Sequence, residues 1–199
     1  MIHTEKLCFR FSALLVSLAV TMVFGAGQTI NVPPRGVPEA ATVSLIRDDA
    51  VNYSSMVSQA LEAALGPGGI SNLVGPGKTV LIKPNLVSSK ASAVTDWRMV
   101  KALVDQIKTV NGGAAITIAE GSASNTGTSN TKSIMAEQGF TEANFPGVAL
   151  VDINDINECP TNNFVLADGA SDITTKQVAE RIYQADVYIN CPKMKTHWH

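Results

Sequence analysis

A chain of 199 residues with 45% hydrophobic and 16% charged residues is not a disordered segment, and it is long enough for one domain with a substantial core. Its formal net charge of −2, without any Lys/Arg run, argues against the basic stripe of a nucleic-acid binder. Its three cysteines include no C-x-x-C spacing, so this chain builds neither a zinc ribbon nor an iron–sulfur cluster.

The first residues have the three parts of a secretory signal peptide. Lys6 and Arg10 form a basic start, residues 11–24 are almost continuously apolar, and Gly25, Ala26 and Gly27 make a small-residue exit. The apolar stretch is shorter than the roughly 20 residues a spanning helix needs. Residues 1–27 are therefore expected to send the chain out of the cytoplasm, to the periplasm or medium, leaving no membrane span after cleavage. The alternative is an uncleaved N-terminal anchor. Loss of Cys8 with the leader leaves Cys159 and Cys191, as a disulfide or as two buried thiols. Pro33, Pro34, Gly36 and Pro38 make residues 28–41 an extended linker. Residues 42–199 form the domain.

Within the domain, short apolar runs alternate with helical patterns. Val43, Leu45 and Ile46 suggest a first strand. Asn52 caps a helix carrying Val57, Ala60, Leu61 and Ala64 on one face, which Gly66-Pro67 stops. Residues 79–82 form the next strand. Thr95 or Asp96 caps a second helix with Val100, Leu103, Val104, Ile107 and Val110 on one face, ended by Asn111-Gly112-Gly113. Strands follow at 115–119 and 148–153 around a helix at 130–138. A short helix at 177–184 precedes a last strand at 187–190. Residues 155–175 break the rhythm as an insertion at the sheet edge, with a small hairpin around Phe164 to Leu166. The strands are unbroken apolar runs, which marks burial on both faces. This predicts a doubly wound α/β fold, a mostly parallel sheet with helices on both faces.

In such a sheet, ligands bind beyond the carboxyl ends of the strands. One strand exits into Lys83-Pro84-Asn85, another into Glu120-Gly121-Ser122 and a third at Asp152 and Asn154. The last exits into Cys191-Pro192-Lys193-Met194-Lys195-Thr196-His197. Lys83, Lys193 and Lys195 suit a carboxylate or phosphate. Glu120, Asp152 and His197 suit acid, base or metal-ligand roles. The same groups also fit ordinary solvated strand ends. Gly75-Pro76-Gly77-Lys78-Thr79 is similar to a phosphate loop, but it precedes a strand where the real motif follows one. Asn52-Tyr53-Ser54 is a glycosylation sequon that competes with the capping role of Asn52.

The blocks Val80-Leu81-Ile82-Lys83-Pro84-Asn85, Ala119-Glu120-Gly121-Ser122 and Pro192-Lys193-Met194-Lys195-Thr196-His197, in this order and spacing, resemble the family called domain of unknown function 362. The resemblance runs from about residue 42 to 197. It implies an α/β fold and supplies candidate residues but no reaction. Some members carry an iron–sulfur ferredoxin domain, so an iron–sulfur partner follows by analogy alone. Members continue past the P-K-x-K-T-H block, so the resemblance implies a fragment or truncated gene product.

The resulting expectation is an exported, enzyme-like domain acting on a small anionic substrate, with a divalent metal as an option. Glu120 and His197 would be catalytic. Lys83, Asn85, Ser122, Lys193 and Lys195 would bind substrate, and Glu120, Asp152 and His197 would hold the metal. The alternatives are a non-catalytic ligand-binding or redox-accessory module, or an inactive fragment.

Overall fold

A computed structural model describes residues 45–122, 130–165 and 175–195. The leader, the linker, most of the small-residue loop after Ser122, and His197 lie outside these residues. Helix α1 (Tyr53–Leu65) starts where the Asn52 side chain accepts the Ser55 amide at 3.1 Å, and it ends at Gly66, whose φ of 81° favours glycine. The sequon asparagine is thus engaged as a helix cap. Strand β1 (Thr79–Pro84) leads through a loop to α2 (Trp97–Val110), and the Asp96 carboxylate caps that helix by accepting the Arg98 amide at 2.9 Å. Next come β2 (Ala115–Glu120), α3 (Thr131–Glu137) and β3 (Ala149–Asp152). An antiparallel pair, β4 (Thr161–Val165) and β5 (Thr175–Ala179), precedes α4 (Glu180–Gln184) and β6 (Val187–Cys191).

Four strands form one parallel sheet in the order β3-β2-β1-β6. Alternate residues feed two cores. Val80, Ile82, Ile116, Ile118 and Ile189 pack with Val57, Leu103 and Ile134 from α1, α2 and α3. Leu81, Ala119 and Val151 pack on the other face with Ala179, Ala185 and Ile182 of α4. Each strand therefore buries both of its side-chain rows, which is why the strands read as unbroken apolar runs. The fold is the expected α/β type, with a parallel sheet and helices on both faces. No helix among the described residues is long and apolar enough to cross a membrane.

Two local expectations fail. Residues 45–48 form no strand and Leu45 is 67% exposed; Val43 lies outside the described residues. The Asp48 carboxylate instead accepts the amides of Ala50 (2.8 Å) and Asn52 (3.2 Å), turning the chain into α1. The helix expected over 177–184 is helical only from Glu180. Its first residues belong to β5, where Val178 pairs with Asn162, because the cross-strand partner outweighs a weak helical pattern. The β4–β5 pair lies in the region of the expected hairpin around Phe164 to Leu166; Leu166 itself lies outside the described residues. The glycine-rich segment before β1 is a turn, with Gly77 at φ 74°. Cys159 and Cys191 are both free and fully buried in cores on opposite faces of the sheet, so the sheet itself keeps them apart. Burial pushes the Cys191 thiol up to about 12.

Candidate functional site

From β1 the sheet is extended to β2 and β3 on one side, and β6 is added on the other. This reversal is a topological switch point, and in open parallel sheets ligands bind at such points, here beyond the carboxyl ends of β1 and β6. β1 delivers Lys83-Pro84-Asn85 to the rim and β6 delivers Cys191-Pro192-Lys193.

The centre of the rim is a carboxylate with three donors. Glu120, at the end of β2, is 5% exposed. Its Oε2 accepts from Lys83 Nζ at 2.9 Å and from the Leu86 amide at 3.3 Å, and its Oε1 accepts the Gly121 amide at 2.8 Å. Burial makes an unpaired carboxylate costly, and these donors pair it. Asp152 lies opposite Glu120 in the β2–β3 register and is also buried. Its Oδ1 accepts the Asn154 amide at 2.9 Å.

Ser122 ties the β2 exit to its surroundings. Its amide donates to Thr131 Oγ1 at 3.1 Å and its hydroxyl to Asn130 Oδ1 at 3.4 Å, while its carbonyl accepts Asn154 Nδ2 at 3.0 Å. Gly121 is required for closeness: a Cβ there would sit 2.5 Å from Asn154 Oδ1.

The β6 side is held by a residue that sequence reading placed only as a possible helix cap. Thr95 Oγ1 donates to the Cys191 carbonyl at 2.6 Å and accepts the Asn85 amide at 2.9 Å; the Thr95 amide donates to the Asn85 carbonyl at 2.9 Å. Thr95 thus binds the β1 exit to the β6 exit.

The expected site residues therefore fall into three groups. Lys83 and Glu120 are brought into contact, with Asp152 on the adjoining strand. Ser122 is buried in a structural network, and Asn85 contributes its backbone while its side chain has no hydrogen-bond partner among the described residues. Lys193 is half-buried, with neither ion pair nor hydrogen bond among the described residues, and Lys195 donates to the Ala93 carbonyl at 3.2 Å. His197 lies outside the described residues.

Beyond Thr95, sequence reading missed Tyr188 and the amide of Leu86. Tyr188 lies opposite Leu81 and packs in the core on that face of the sheet. Burial, then the charges of Glu120 and Cys191, push its phenol upward. Its spacing of two from Asn190, opposite Lys83, is the signal that could have found it. The Leu86 amide carries no sequence signal of its own.

Of the expected metal ligands, Glu120 and Asp152 lie on adjoining strands, and His197 lies outside the described residues. Among the described residues, no group of three His, Cys, Asp or Glu side chains is placed to hold a metal ion. Two donors fill both lone pairs of Glu120 Oε2, and Gly121 takes one on Oε1. Glu120 as placed thus fits a held anion better than a metal ligand.

Fold and rim together define an α/β domain with a half-buried lysine paired to a buried glutamate near the switch point. The family described as "Domain of unknown function (DUF362)" matches residues 80–199, more than half of the chain. The chain belongs to this family. No curated protein and no solved structure matches it.

Proposed function

We propose that this domain binds a small anion in the crevice between the ends of β1 and β6, and that it is an enzyme acting on that anion. The carrying observation is Lys193: a half-buried cation at the switch point with no partner among the described residues. Lys83 is a weaker attractor because Glu120 already compensates its charge. Lys193 and Lys195 therefore hold the anion, Lys83 orients Glu120, and Glu120 serves as acid or base, with His197 as a second such group.

A non-catalytic binder is the second reading, and one observation favours it. Glu120 accepts from three donors, as a positioning carboxylate does. The leader pattern supports export, and intact mass of the exported protein should lack residues 1–27; a retained leader overturns that part.

Titration calorimetry with inorganic phosphate and small carboxylates tests the site. Lys193→Ala should weaken binding about 10-fold, the scale of one charge-assisted hydrogen bond. Equal affinity in the variant removes the reading. Phosphorus NMR on phosphomonoesters that bind then separates enzyme from binder. Conversion abolished in Glu120→Gln, with binding retained, favours the enzyme. Binding without conversion of any ligand favours the binder.

A further inference from the structure

Residues 86–94, between β1 and α2, are fastened very unevenly. Their neck is closed by the three Thr95 hydrogen bonds to Asn85 and Cys191. Both hinge residues are anchored in the core, Leu86 at 0% and Val94 at 2% exposure. Between them the chain emerges: Val87, Ser89, Lys90, Ala91 and Ser92 are exposed. Only two side chains outside the segment bond to this tip among the described residues. Gln138, at the end of α3, donates to the Ser89 carbonyl at 2.7 Å, and Lys195, beyond β6, donates to the Ala93 carbonyl at 3.2 Å. The segment therefore crosses the carboxyl rim from α3 to the β6 exit, and its root donates the Leu86 amide to Glu120.

We propose that residues 87–93 are a strap that lifts from the rim while its neck stays shut, and that Lys195 is its latch. The neck and tip differ in kind. Breaking the neck leaves a buried hydroxyl, a buried carbonyl and an amide unpaired, whereas breaking the tip contacts exposes groups that water satisfies at once. Opening is thus confined to the tip, as in locally unfolding segments with few buried contacts. Lifting also releases the Lys195 ammonium from the Ala93 carbonyl. That cation then faces the crevice, so an anion bound there competes with Ala93 for Lys195 and favours the open strap. This last link rests on the anion-binding reading above; the opening itself does not.

Lys90 in the exposed tip provides the assay. Cleavage of the Lys90–Ala91 bond by trypsin, followed by mass spectrometry and normalised to an unstructured peptide in the same tube, reports opening. In the full chain, Gln138→Ala with Lys195→Ala should speed this cleavage about 10-fold, since two exposed hydrogen bonds are lost. The melting temperature should stay unchanged. Cleavage at the wild-type rate, or acceleration only in step with a fall in melting temperature, overturns the strap. Saturating inorganic phosphate should accelerate cleavage of the wild-type chain and leave Lys195→Ala unaffected. Acceleration in the double variant with no response of the wild type to phosphate keeps the strap and removes the coupling of anion binding to Lys195, while the calorimetry of Lys193→Ala decides the anion reading itself. Slowing by phosphate overturns the latch role of Lys195.

Discussion

The two ends of β1 carry the same device in two environments. At the amino end, Asp186 accepts from the Thr79 amide (2.8 Å), the Thr79 hydroxyl (2.8 Å) and Lys78 Nζ (3.1 Å). At the carboxyl end, Glu120 accepts from two backbone amides and Lys83 Nζ. Each is a carboxylate held by a lysine and the backbone. The side chains differ in exposure: 47% and 28% for Lys78 and Asp186, against 28% and 6% for Lys83 and Glu120. The amino-end pair stays in contact with water and fastens β6 to β1 at little cost. The carboxyl-end pair is drawn out of water, and its mutual attraction does little more than offset the lost hydration. An apolar pair would serve stability as well there. On the reading proposed above, the Glu120 carboxylate, buried at the end of a parallel sheet where ligands bind, serves the site, and the more exposed Asp186 pair serves assembly.

The sharpest way to break this contrast is Glu120→Ala. It removes one partner from the buried pair and leaves the Lys83 ammonium and the Leu86 and Gly121 amides without their acceptor. Stability should fall by about 3 kcal/mol, the scale for uncompensated buried charge, as read by urea denaturation. Lys83→Met with Glu120→Gln should recover much of that loss, because no lone charge remains. If the double variant is as unstable as Glu120→Ala, the pair is structural and the functional argument fails.

Next in size is Thr95→Val, which keeps the shape and deletes the hydroxyl. The Asn85 amide and the Cys191 carbonyl then lose a partner in a buried place, so the loss should be about 2 kcal/mol. A loss near zero would mean that water enters the crevice neck, and the neck would not be the rigid base of the strap.

How much of this was legible in sequence depended on whether the signal was local. Val80, Leu81 and Ile82 announce a strand buried on both faces, and the Lys83-Pro84-Asn85 exit follows from the strand's end. The caps at Asn52 and Asp96, and the stops at Gly66 and Asn111, are also local chemistry. The failures were non-local. Val43, Leu45 and Ile46 have strand composition, but strand pairing decides, and residues 45–48 pair with no strand among the described residues. Residues 177–179 became a strand through partners at 161–163. At the site, the rim residues could be named, but not that Lys83 would meet Glu120, because that contact depends on strand register and on how the chain turns after each strand. Thr95 was visible only as a cap candidate, since its real partners lie at Asn85 and Cys191.

The smallest expected effect tests the amino end. Three donors, the Thr79 amide first, then the Thr79 hydroxyl and Lys78, hold the Asp186 carboxyl at about 2, below its ordinary 3.8. A depressed folded value means the folded chain favours the ionised form, so this contribution is complete above the ordinary value and disappears as pH falls through about 2. Asp96 titrates in the same window: burial raises its carboxyl, but hydrogen bonds from Arg98 and Tyr53 outweigh that and hold it at about 2. Asp186→Asn should therefore make the acid-side fall in melting temperature shallower between about pH 4 and pH 2 without abolishing it, since Asp96 still contributes. Near neutral pH the variant should lose little, because water already screens this pair. A loss at neutral pH as large as that of Glu120→Ala would erase the distinction between the two ends, and burial would no longer mark which pair serves the site.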